Sequence, residues 1–487
     1  MTMQEIRPGE ARSTGPSVQE LHDRDTREPK KSLRDNSYAY RGSADVLKTR
    51  YTSAEFAALE AEYLWSRTWQ FAAMEADLEK PGDHVVYDVA NESLIVTRTS
   101  DGSIKAFHNS CLHRGTKLRV EDGRVASFRC PFHGWRWSLD GELTEQPCEW
   151  DFPFLHEEGR TCLPEAKVAT WGGFVFVNID LDAEPFESYA SKLIEHFGDY
   201  PMEKRYRAFW AVKEVPANWK VCREAFSEGY HVIATHPQIV EFTGDANSEY
   251  ANWPEAPMVT RQYNPFGLQS PHLGGALTEQ QVADAYLKFS TRSAQRNLQS
   301  ADEQPVMVVG EGQTARELIA DVFRDKMGAG YGVDFSDTSD AELLDAILYH
   351  LFPAFAPWGG IGQPLVYRWR PGSTPDTCFM DVIRMAPVPD GGVVPDPAPC
   401  IRLRLDQAWK EAPTMGGLAD VFEQDMENLP RIQAGLKTTG KRSVSFGNYQ
   451  EVGLRQHHQL IDQFILSGLE ADGRQRSEVE RFLVAEG

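Results

Sequence analysis

Two short loops that combine cysteine with histidine constrain this chain more than any other feature of its sequence. The first loop reads Cys111-Leu-His113, and the second reads Cys130-Pro-Phe-His133 after sixteen intervening residues. Each loop offers one thiolate and one imidazole, and a glycine follows each loop closely, which lets backbone amides approach the sulfurs. Four ligand-type side chains in this arrangement predict a metal site.

The order of the ligands indicates which metal centre is expected. A structural zinc site also uses two Cys and two His, but it usually groups Cys with Cys and His with His. The mixed loops instead favour a Rieske [2Fe–2S] centre, in which Cys111 and Cys130 hold one iron and His113 and His133 hold the other. Two neutral imidazoles in place of thiolates raise the reduction potential, so such a cluster passes single electrons onward.

The residues around these loops have the pattern of short strands. Residues 93–97, Asp101-Gly102 and residues 104–107 form a hairpin pattern, and residues 173–179 read as a buried strand. Residues 82–180 are therefore predicted to be a small all-β domain. Helices and longer strands follow, including an antiparallel pair at 365–370 and 378–385, and residues 240–345 are predicted to surround a pocket.

A second group of candidate ligands lies in this later region, at Glu228, His231 and His236. Glu228 and His231 would share a helical face, whereas His231 and His236 are five residues apart and need a helix that ends there. Pro237 supports such an ending. Two imidazoles and one carboxylate form the facial triad of non-haem iron(II) oxygenases, which leaves open positions on the metal.

With both groups in view, the chain resembles the Rieske non-haem iron aromatic-ring-hydroxylating oxygenases, large (alpha) subunit, over residues 46–470. The resemblance rests on the two Cys/His loops and on Asn218-Trp-Lys220, Glu224 and the Glu228–His231–His236 group. It implies an α+β protein with a flexible leader at 1–45. An all-β Rieske [2Fe–2S] domain would span 46–185, and a helix-grip catalytic domain with an antiparallel sheet and helices would span 186–487.

The resemblance also implies a third iron ligand on a late helix. Asp425 is our choice there, and Glu423 and Glu427 are its rivals. The family places a carboxylate between the two metal centres, bonded to a histidine of each, and Glu228 is the matching position. Many members have Asp there, so this chain departs from the family by one methylene group.

One [2Fe–2S] cluster and one Fe(2+) per subunit are expected, with Cys111, His113, Cys130 and His133 as cluster ligands. The mononuclear iron would be held by His231, His236 and Asp425. In the family, the cluster of one subunit feeds the iron of its neighbour, so His133 of one subunit would meet Glu228 of the next. This arrangement implies at least a homotrimer or an α3β3 assembly.

The expected function is mono- or dihydroxylation of an aromatic or other hydrophobic small molecule with O2, as in aromatic hydrocarbon catabolism. A ferredoxin or an NAD(P)H-dependent reductase would supply the electrons. Oxidative O- or N-demethylation is the alternative within the class, and a pure electron-transfer or zinc-stabilised protein is the alternative outside it. The pocket is expected to include Phe226, Tyr230, Ile233 and residues from 350–368, such as Leu351, Phe355 and Trp358.

Charge and composition exclude some partners. The formal net charge of −22 disfavours binding to nucleic acids and to anionic membrane surfaces. Residues 346–367 lack formal charge but contain three prolines, so they are not a membrane helix. No secretory signal is visible and the seven cysteines are odd in number, which together favour a reducing cytoplasm.

Overall fold

The protein is described here by a computed structural model that covers residues 13–157, 160–296, 307–389, 391–413, 415–416, 418–438 and 440–484. The chain divides into two compact units. One consists of residues 58–189, and the other combines the described residues of 1–57 and 190–487. This division differs from the predicted boundaries, because residues 46–57 belong with the later part of the chain and not with the all-β domain.

The leading segment forms short elements that pack on the larger unit. These are α1 (Val18–Asp23), α2 (Lys31–Arg34), β1 (Val46–Leu47), α3 (Thr49–Thr52) and α4 (Ala54–Leu59). Val18 and Leu33 are buried, and the buried guanidinium of Arg261 donates to the carbonyl oxygens of Ser32 and Asp35. The described part of the predicted flexible leader is therefore ordered. Its few apolar side chains pack on the larger unit, which its polar composition did not indicate.

The smaller unit is built almost entirely of strands. They are β2 (Gln70–Met74), β3 (Asp83–Val89), β4 (Glu92–Arg98), β5 (Ile104–His108), β6 (Gly123–Arg124), β7 (Phe128–Arg129), β8 (Arg136–Trp137), β9 (Leu143–Glu145), β10 (Glu165–Trp171) and β11 (Phe174–Asn178), with α5 (Pro153–Glu157) and α6 (Phe186–Tyr189). One sheet has the order β2-β11-β10-β5-β4-β3-β6, and β7-β8-β9 form a second sheet. The predicted hairpin is the β4–β5 pair, and the predicted buried strand is β11.

The larger unit continues the chain with helices around one large sheet. Its elements are α7 (Ser191–Phe197), β12 (Arg205–Val215), α8 (Trp219–Glu224), α9 (Val232–Thr235), β13 (Glu249–Asn252), β14 (Val259–Asn264), α10 (Glu279–Arg296), α11 (Ala315–Tyr331), α12 (Asp340–Leu344), β15 (Ala346–Leu351), β16 (Phe355–Gly359), β17 (Leu365–Pro371), β18 (Cys378–Pro387), β19 (Cys400–Leu403), α13 (Leu418–Thr438), β20 (Ser443–Val444) and α14 (Val452–Ala471).

The large sheet has the order β13-β14-β15-β16-β17-β18-β12-β19, and its neighbouring strands are antiparallel except for β12 and β19. Every residue of β15 is buried, which explains the uncharged run there, since a strand covered on both faces needs no polar side chains. The α+β fold class predicted from the sequence is confirmed. Among the helices that the structure describes, none has the length and apolar character needed to cross a membrane.

The helices inserted between β14 and β15 are tied to the sheet by a buried ion pair. Arg316 of α11 donates to both carboxylate oxygens of Asp345, at 2.6 and 2.8 Å. Asp345 also accepts from the Tyr263 hydroxyl at 2.6 Å and from the Phe266 amide at 2.9 Å. These contacts satisfy a buried charge, and they fix the end of β14 that leads to the cavity described below.

Candidate metal centres

The two Cys/His loops of the smaller unit have the same backbone conformation. In the first loop, the Cys111 amide donates to the Thr116 carbonyl at 2.9 Å, and the Gly115 amide donates to the Cys111 carbonyl at 2.9 Å. The second loop repeats both bonds around Cys130, at 2.8 and 3.1 Å. The glycine of each loop has a positive φ, 74° at Gly115 and 82° at Gly134, a conformation that side chains with a Cβ rarely adopt.

These loops bring the four predicted cluster ligands together. The Nδ1 atoms of His113 and His133 lie 3.1 Å apart, with ring centroids separated by 4.6 Å. The thiols of Cys111 and Cys130 are within hydrogen-bonding reach of each other, and both residues are buried, whereas His133 is exposed. The two thiols therefore form one pair and the two imidazoles form another.

Backbone amides surround the sulfurs as the glycines suggested. The amides of His113 and Arg114 donate to Cys111, and those of Phe132 and His133 donate to Cys130. Burial raises the pKa of the Cys111 thiol. Burial acts in the same direction on Cys130, but the amide donors and Cys111 outweigh it and lower the pKa of that thiol. Amide donors of this kind favour thiolates, which are the metal-binding form of cysteine.

This donor set fits an iron–sulfur cluster. Two nitrogen ligands about 2.0–2.1 Å from one tetrahedral metal ion lie a little over 3 Å apart, and the two facing Nδ1 atoms have such a separation. Burial and the nearby charges of His133 and Arg114 lower the pKa of His113, which favours the neutral imidazole that metals bind. Trp135 stacks on the His113 ring at 5.2 Å and holds its orientation.

The second set of predicted ligands converges in the larger unit. His231, His236 and Asp425 each offer one ligand atom, and these atoms lie within 4.8 Å of one another. Asp425 Oδ1 is 3.1 Å from His236 Nε2 and 3.9 Å from His231 Nε2. Two imidazoles and one carboxylate on one side of a point fit a mononuclear iron that keeps open positions.

Local backbone geometry explains how the two histidines meet. His231 precedes the four-residue helix α9, and His236 follows it with φ −122° and ψ 53°. The predicted helix end at Pro237 is thus confirmed. The prediction that Glu228 and His231 share a helix is wrong, because α8 ends at Glu224 and a loop carries Glu228. A helix that continued through both histidines would direct them to different sides.

Glu228 contacts His231 through both carboxylate oxygens. Its Oε1 lies 2.8 Å from His231 Nδ1, and its Oε2 accepts from the His231 amide at 3.0 Å. Burial lowers the pKa of His231, but the hydrogen bond and charge of Glu228, together with the charge of Asp425, outweigh burial and raise it. This carboxylate fixes the Nδ1–H tautomer and directs Nε2 toward Asp425.

The late helix α13 carries Asp425 on its buried side, at 4% exposure. Its rivals face elsewhere: Glu423 accepts a hydrogen bond from the Lys410 amide, and Glu427 is exposed beside Arg431. Only Asp425 of these three joins the two histidines. Residues two positions apart on a helix point about 200° apart, so Glu423 and Glu427 point away from the side of α13 that carries Asp425.

Gln424 is a contributor that sequence reasoning missed. Its Oε1 lies 2.8 Å from His236 Nδ1 and also accepts from Gln238 Nε2 at 2.8 Å. His236 is therefore oriented by an amide, whereas His231 is oriented by a carboxylate. A lone glutamine on a helix has no sequence signature, and only the fold shows that it faces a histidine 188 positions earlier.

A cavity of about 200 Å³ adjoins these residues. Its wall includes Phe226, Phe422, Trp358 and Tyr367, which contact one another at centroid distances of 5.4–5.9 Å. The predictions of Phe226 and Trp358 are confirmed.

Other predicted pocket residues lie elsewhere. Tyr230 and Ile233 are 56% and 40% exposed, because the loop and the short α9 turn them outward. Leu351 and Phe355 are buried but do not line the cavity; they pair with each other at the β15–β16 turn, beyond the cavity wall.

A buried polar cluster lies next to this site, four residues before Glu228. Glu224 Oε1 is 3.0 Å from the Tyr51 hydroxyl and 2.8 Å from His458 Nε2, and these two partners are 2.9 Å apart. Burial raises the pKa of Glu224 to about 8, against the lowering effects of Tyr51, Lys220 and Arg223. Burial also holds the pKa of His458 well below its ordinary value. The pair is thus neutral near pH 7.

Comparison with protein families gives two matches that cover most of the chain. The family described as Rieske [2Fe-2S] domain matches residues 68–156, and the family described as Ring hydroxylating alpha subunit (catalytic domain) matches residues 195–467. The first range contains both Cys/His loops. The second contains His231, His236 and Asp425.

Individual relatives fall into two groups by name. The chlorobenzene dioxygenase subunit alpha of Cupriavidus sp. (strain PS12) is 32% identical over 193 residues, which is 38% of this chain and 42% of the relative. The carnitine monooxygenase oxygenase subunit of Acinetobacter baumannii is 32% identical over 199 residues, or 39% and 52%. The glycine betaine monooxygenase oxygenase subunit of Pseudomonas aeruginosa is 28% identical over 218 residues, or 42% and 49%. The matches span about half the length of these relatives.

Solved structures show the same fold at lower identity. A quaternary ammonium Rieske monooxygenase in complex with L-carnitine has a TM-score of 0.58 at 19% identity, covering 86% of this chain and 95% of that chain. A naphthalene 1,2-dioxygenase variant bound to phenanthrene has a TM-score of 0.59 at 17% identity, covering 92% and 98%.

Proposed function

The chain belongs to the family of ring hydroxylating alpha subunits, and we propose that it is the oxygenase component of a Rieske non-haem iron oxygenase that hydroxylates a small aromatic compound. The observation that carries this proposal is the convergence of His231, His236 and Asp425 beside an aromatic-lined cavity. A facial triad without an adjoining cavity would have no place for a substrate.

The smaller unit would be the electron entry point. Cys111 and Cys130 would hold one iron of the [2Fe–2S] cluster, and His113 and His133 would hold the other. The bound cluster supplies electrons one at a time, and a ferredoxin or an NAD(P)H-dependent reductase would refill it. The exposed His133 side chain supports this role, because a group that exchanges electrons with another protein needs to be near the surface.

In the larger unit, His231, His236 and Asp425 would hold the mononuclear iron. Bound iron activates O2, which reacts poorly with closed-shell organic molecules on its own. Glu228 and Gln424 would act as positioning residues, because each holds the Nδ1–H of one histidine and leaves its Nε2 free to bind metal. The aromatic wall would exclude water from the substrate side of the site.

Glu228 would also connect this site with the cluster of another subunit. By the family resemblance, His133 of the partner subunit would approach Glu228, in a homotrimer or an α3β3 assembly. The glutamate reaches one methylene further than the aspartate common in the family, and its second oxygen is already held by the His231 amide. The subunit interface would then be part of the catalytic path.

The cavity favours ring hydroxylation of a neutral compound over oxidation of a betaine. Betaines carry a carboxylate as well as a quaternary ammonium group, and no Lys or Arg is among the described residues that line the cavity. A buried carboxylate without a counter-charge is strongly disfavoured. Oxidative demethylation of a neutral aryl ether or amine uses the same two metal centres and is the second candidate.

Reconstituted turnover under labelled dioxygen tests this function. The protein, loaded with cluster and iron, is supplied with an electron donor and one-ring aromatic compounds, and the products are read by mass spectrometry. We expect hydroxylated products that carry one or two labelled oxygen atoms, and no product when iron is omitted. Formaldehyde release from a methoxy compound would favour the demethylase alternative. If protein with both metal centres intact converts none of the compounds, the proposal is wrong.

A further inference from the structure

Two side chains in the cavity wall carry buried polar atoms that the protein does not satisfy. Gln262 is 6% exposed and Thr243 is 2% exposed, and both line the cavity. Neither Gln262 Oε1 nor Thr243 Oγ1 has a hydrogen-bond partner within the part of the chain that the structure describes. A buried polar group left in this state is destabilising, so its presence indicates a partner that enters the cavity.

The register of the sheet shows that Gln262 interrupts an apolar surface. Gln262 of β14 is paired with Leu348 of β15, and Leu348 is paired with Trp358 of β16. All three line the cavity, as expected when paired residues lie on one face of a sheet. A leucine or methionine at position 262 would continue this surface without any unsatisfied atom. Gln262 and Asn264 are thus the two polar side chains of β14 in the cavity wall, and each needs a hydrogen-bond partner.

The neighbouring polar residue on this strand has such a partner within the protein. Asn264 lies two positions further on the same face, and its Oδ1 accepts from the Ser248 hydroxyl at 2.6 Å. A Cβ added at Gly229 would lie 3.0 Å from that oxygen, so the chain packs closely around it. Asn264 thus has a structural role, and Gln262 is the residue of this strand available to a ligand.

Charge limits what the ligand can be. The ionisable groups among the described lining residues are Glu228, His231, His236, Asp425 and Tyr367. The first four belong to the metal site, and burial raises the pKa of the Tyr367 phenol above its ordinary value, which keeps it neutral. An anionic group would find no cation here except the metal. The ligand is therefore not an anion.

Size limits it further. A cavity of about 200 Å³ is slightly larger than the roughly 150 Å³ of an apolar cavity that accepts benzene. One six-membered ring with a few additional atoms fills such a space.

We propose that the substrate is an uncharged one-ring aromatic compound whose hydroxyl or amino substituent donates a hydrogen bond to Gln262 Oε1. The Thr243 hydroxyl in the same wall is a second group that could form a hydrogen bond with the ligand. This inference rests on the proposed function for the chemistry that follows binding, whereas recognition itself depends only on the cavity. Gln262 is then a specificity-determining residue that fixes which edge of the ring faces His231, His236 and Asp425.

Five matched compounds test the inference. Phenol and aniline can donate a hydrogen bond, anisole can only accept one, toluene can do neither, and benzoate is charged. Dissociation constants come from calorimetry on metal-loaded protein, and kcat/KM comes from reconstituted turnover. In the unaltered protein we expect phenol and aniline to have dissociation constants at least about 10-fold lower, and kcat/KM at least about 10-fold higher, than anisole and toluene, because a site with a buried polar group rejects analogues that lack its partner.

Two variants and one control locate the effect. Gln262→Met keeps the side-chain length without the amide, and Gln262→Leu continues the apolar surface. In both we expect the preference for phenol over toluene to fall at least about 10-fold, with unchanged cluster absorption and iron content. Thr260→Val changes a polar residue on the same strand that does not line the cavity, and it should leave the preference intact.

The outcomes separate this inference from the proposed function. Equal use of phenol and toluene by the unaltered protein would overturn the inference and leave the oxygenase function in place, as would a preference for benzoate. If phenol binding depends on Gln262 but the protein oxidises none of the compounds, the inference is supported and the proposed function is wrong. Loss of the phenol preference in Gln262→Met but not in Thr260→Val supports both.

Discussion

His231 and His236 reach one point because a four-residue helix lies between them and ends at once. Each imidazole is then held from behind by a different kind of group, the carboxylate of Glu228 or the amide of Gln424. A carboxylate makes its imidazole a stronger metal ligand than an amide does. The two histidines of the site are therefore electronically unequal, and Glu228 is the group through which His231 can be tuned.

Replacement of Glu228 tests this positioning role. Glu228→Gln keeps the shape but removes the charge, so we expect both metal centres to remain and turnover to fall about 10- to 100-fold. The rate at which substrate-bound protein reoxidises its reduced cluster should fall in parallel, which a merely structural defect would not cause. Glu228→Asp, which keeps the carboxylate, is the matched control and should retain much of that rate. Near-normal turnover in Glu228→Gln protein would contradict the role.

Replacement of Asp425 tests the assignment of the third iron ligand. We expect Asp425→Ala to lose the mononuclear iron and all turnover while the cluster absorption is unchanged, because the two centres have separate ligands. Iron analysis before and after dialysis measures this. Glu427→Ala removes an exposed carboxylate from the same helix and should retain full iron content. If Asp425→Ala protein holds iron as tightly as the unaltered protein, the assignment is wrong.

Glu224 should make the stability of the protein depend on pH. The unfolded chain loses this proton near pH 4.5, whereas burial keeps the native carboxyl protonated until about pH 8. The native state therefore binds more protons between these values, and its stability falls as the pH rises through that window, by on the order of 2 kcal/mol between pH 6 and 8.

Comparison of Glu224→Gln with the unaltered protein isolates this effect. The amide keeps contacts with Tyr51 and His458 and does not ionise, so urea midpoints should fall less between pH 6 and 8. Glu427→Gln, at an exposed position, should follow the unaltered protein. Identical pH dependence in all three proteins would show that Glu224 is ionised in the native state.

At the scale of the elements, the leading segment is held by burial and not only by hydrogen bonds. Leu33 of α2 is fully buried, whereas its neighbour Lys31 is exposed. We expect Leu33→Ala to lower the free energy of unfolding by about 2–5 kcal/mol, with little change for Lys31→Ala. Urea denaturation measures the difference. Equal stability of the two variants would indicate that the segment is a flexible leader after all.

The sequence predicted the elements whose patterns are local. The β4–β5 hairpin has a turn dipeptide between alternating strands, and the two Cys/His loops have a spacing that few other sites share. It did not predict contacts that depend on tertiary packing. Gln424 beside His236 and Leu33 inside the larger unit are examples, because a single glutamine or leucine in a polar stretch carries no periodic signal.

The metal ligands, too, were predicted fully only where their pattern is local in the sequence. The types and spacing of Cys111, His113, Cys130 and His133 were sufficient to predict the cluster. For the mononuclear iron, the sequence left three carboxylates of one helix open, and the orientation of α13 distinguishes Asp425 from the other two. The pocket was predicted only in part, since the loop before α9 turns Tyr230 away from the cavity.

In the whole molecule, each of the two units has the ligands of a different metal centre. The smaller unit has the ligands of an electron-transfer centre, and the larger unit has an iron site beside a cavity. The trimeric assembly and the cytoplasmic location stay predictions.

The metal content of the intact chain is the decisive measurement for the two metal centres. Protein purified without oxygen and supplied with iron and sulfide should contain about three iron atoms and two acid-labile sulfides per chain. After reduction it should give the EPR signal of a [2Fe–2S] cluster, with nitrogen couplings from His113 and His133. A colourless protein that binds zinc in place of iron, or a cluster signal without nitrogen couplings, would contradict the account.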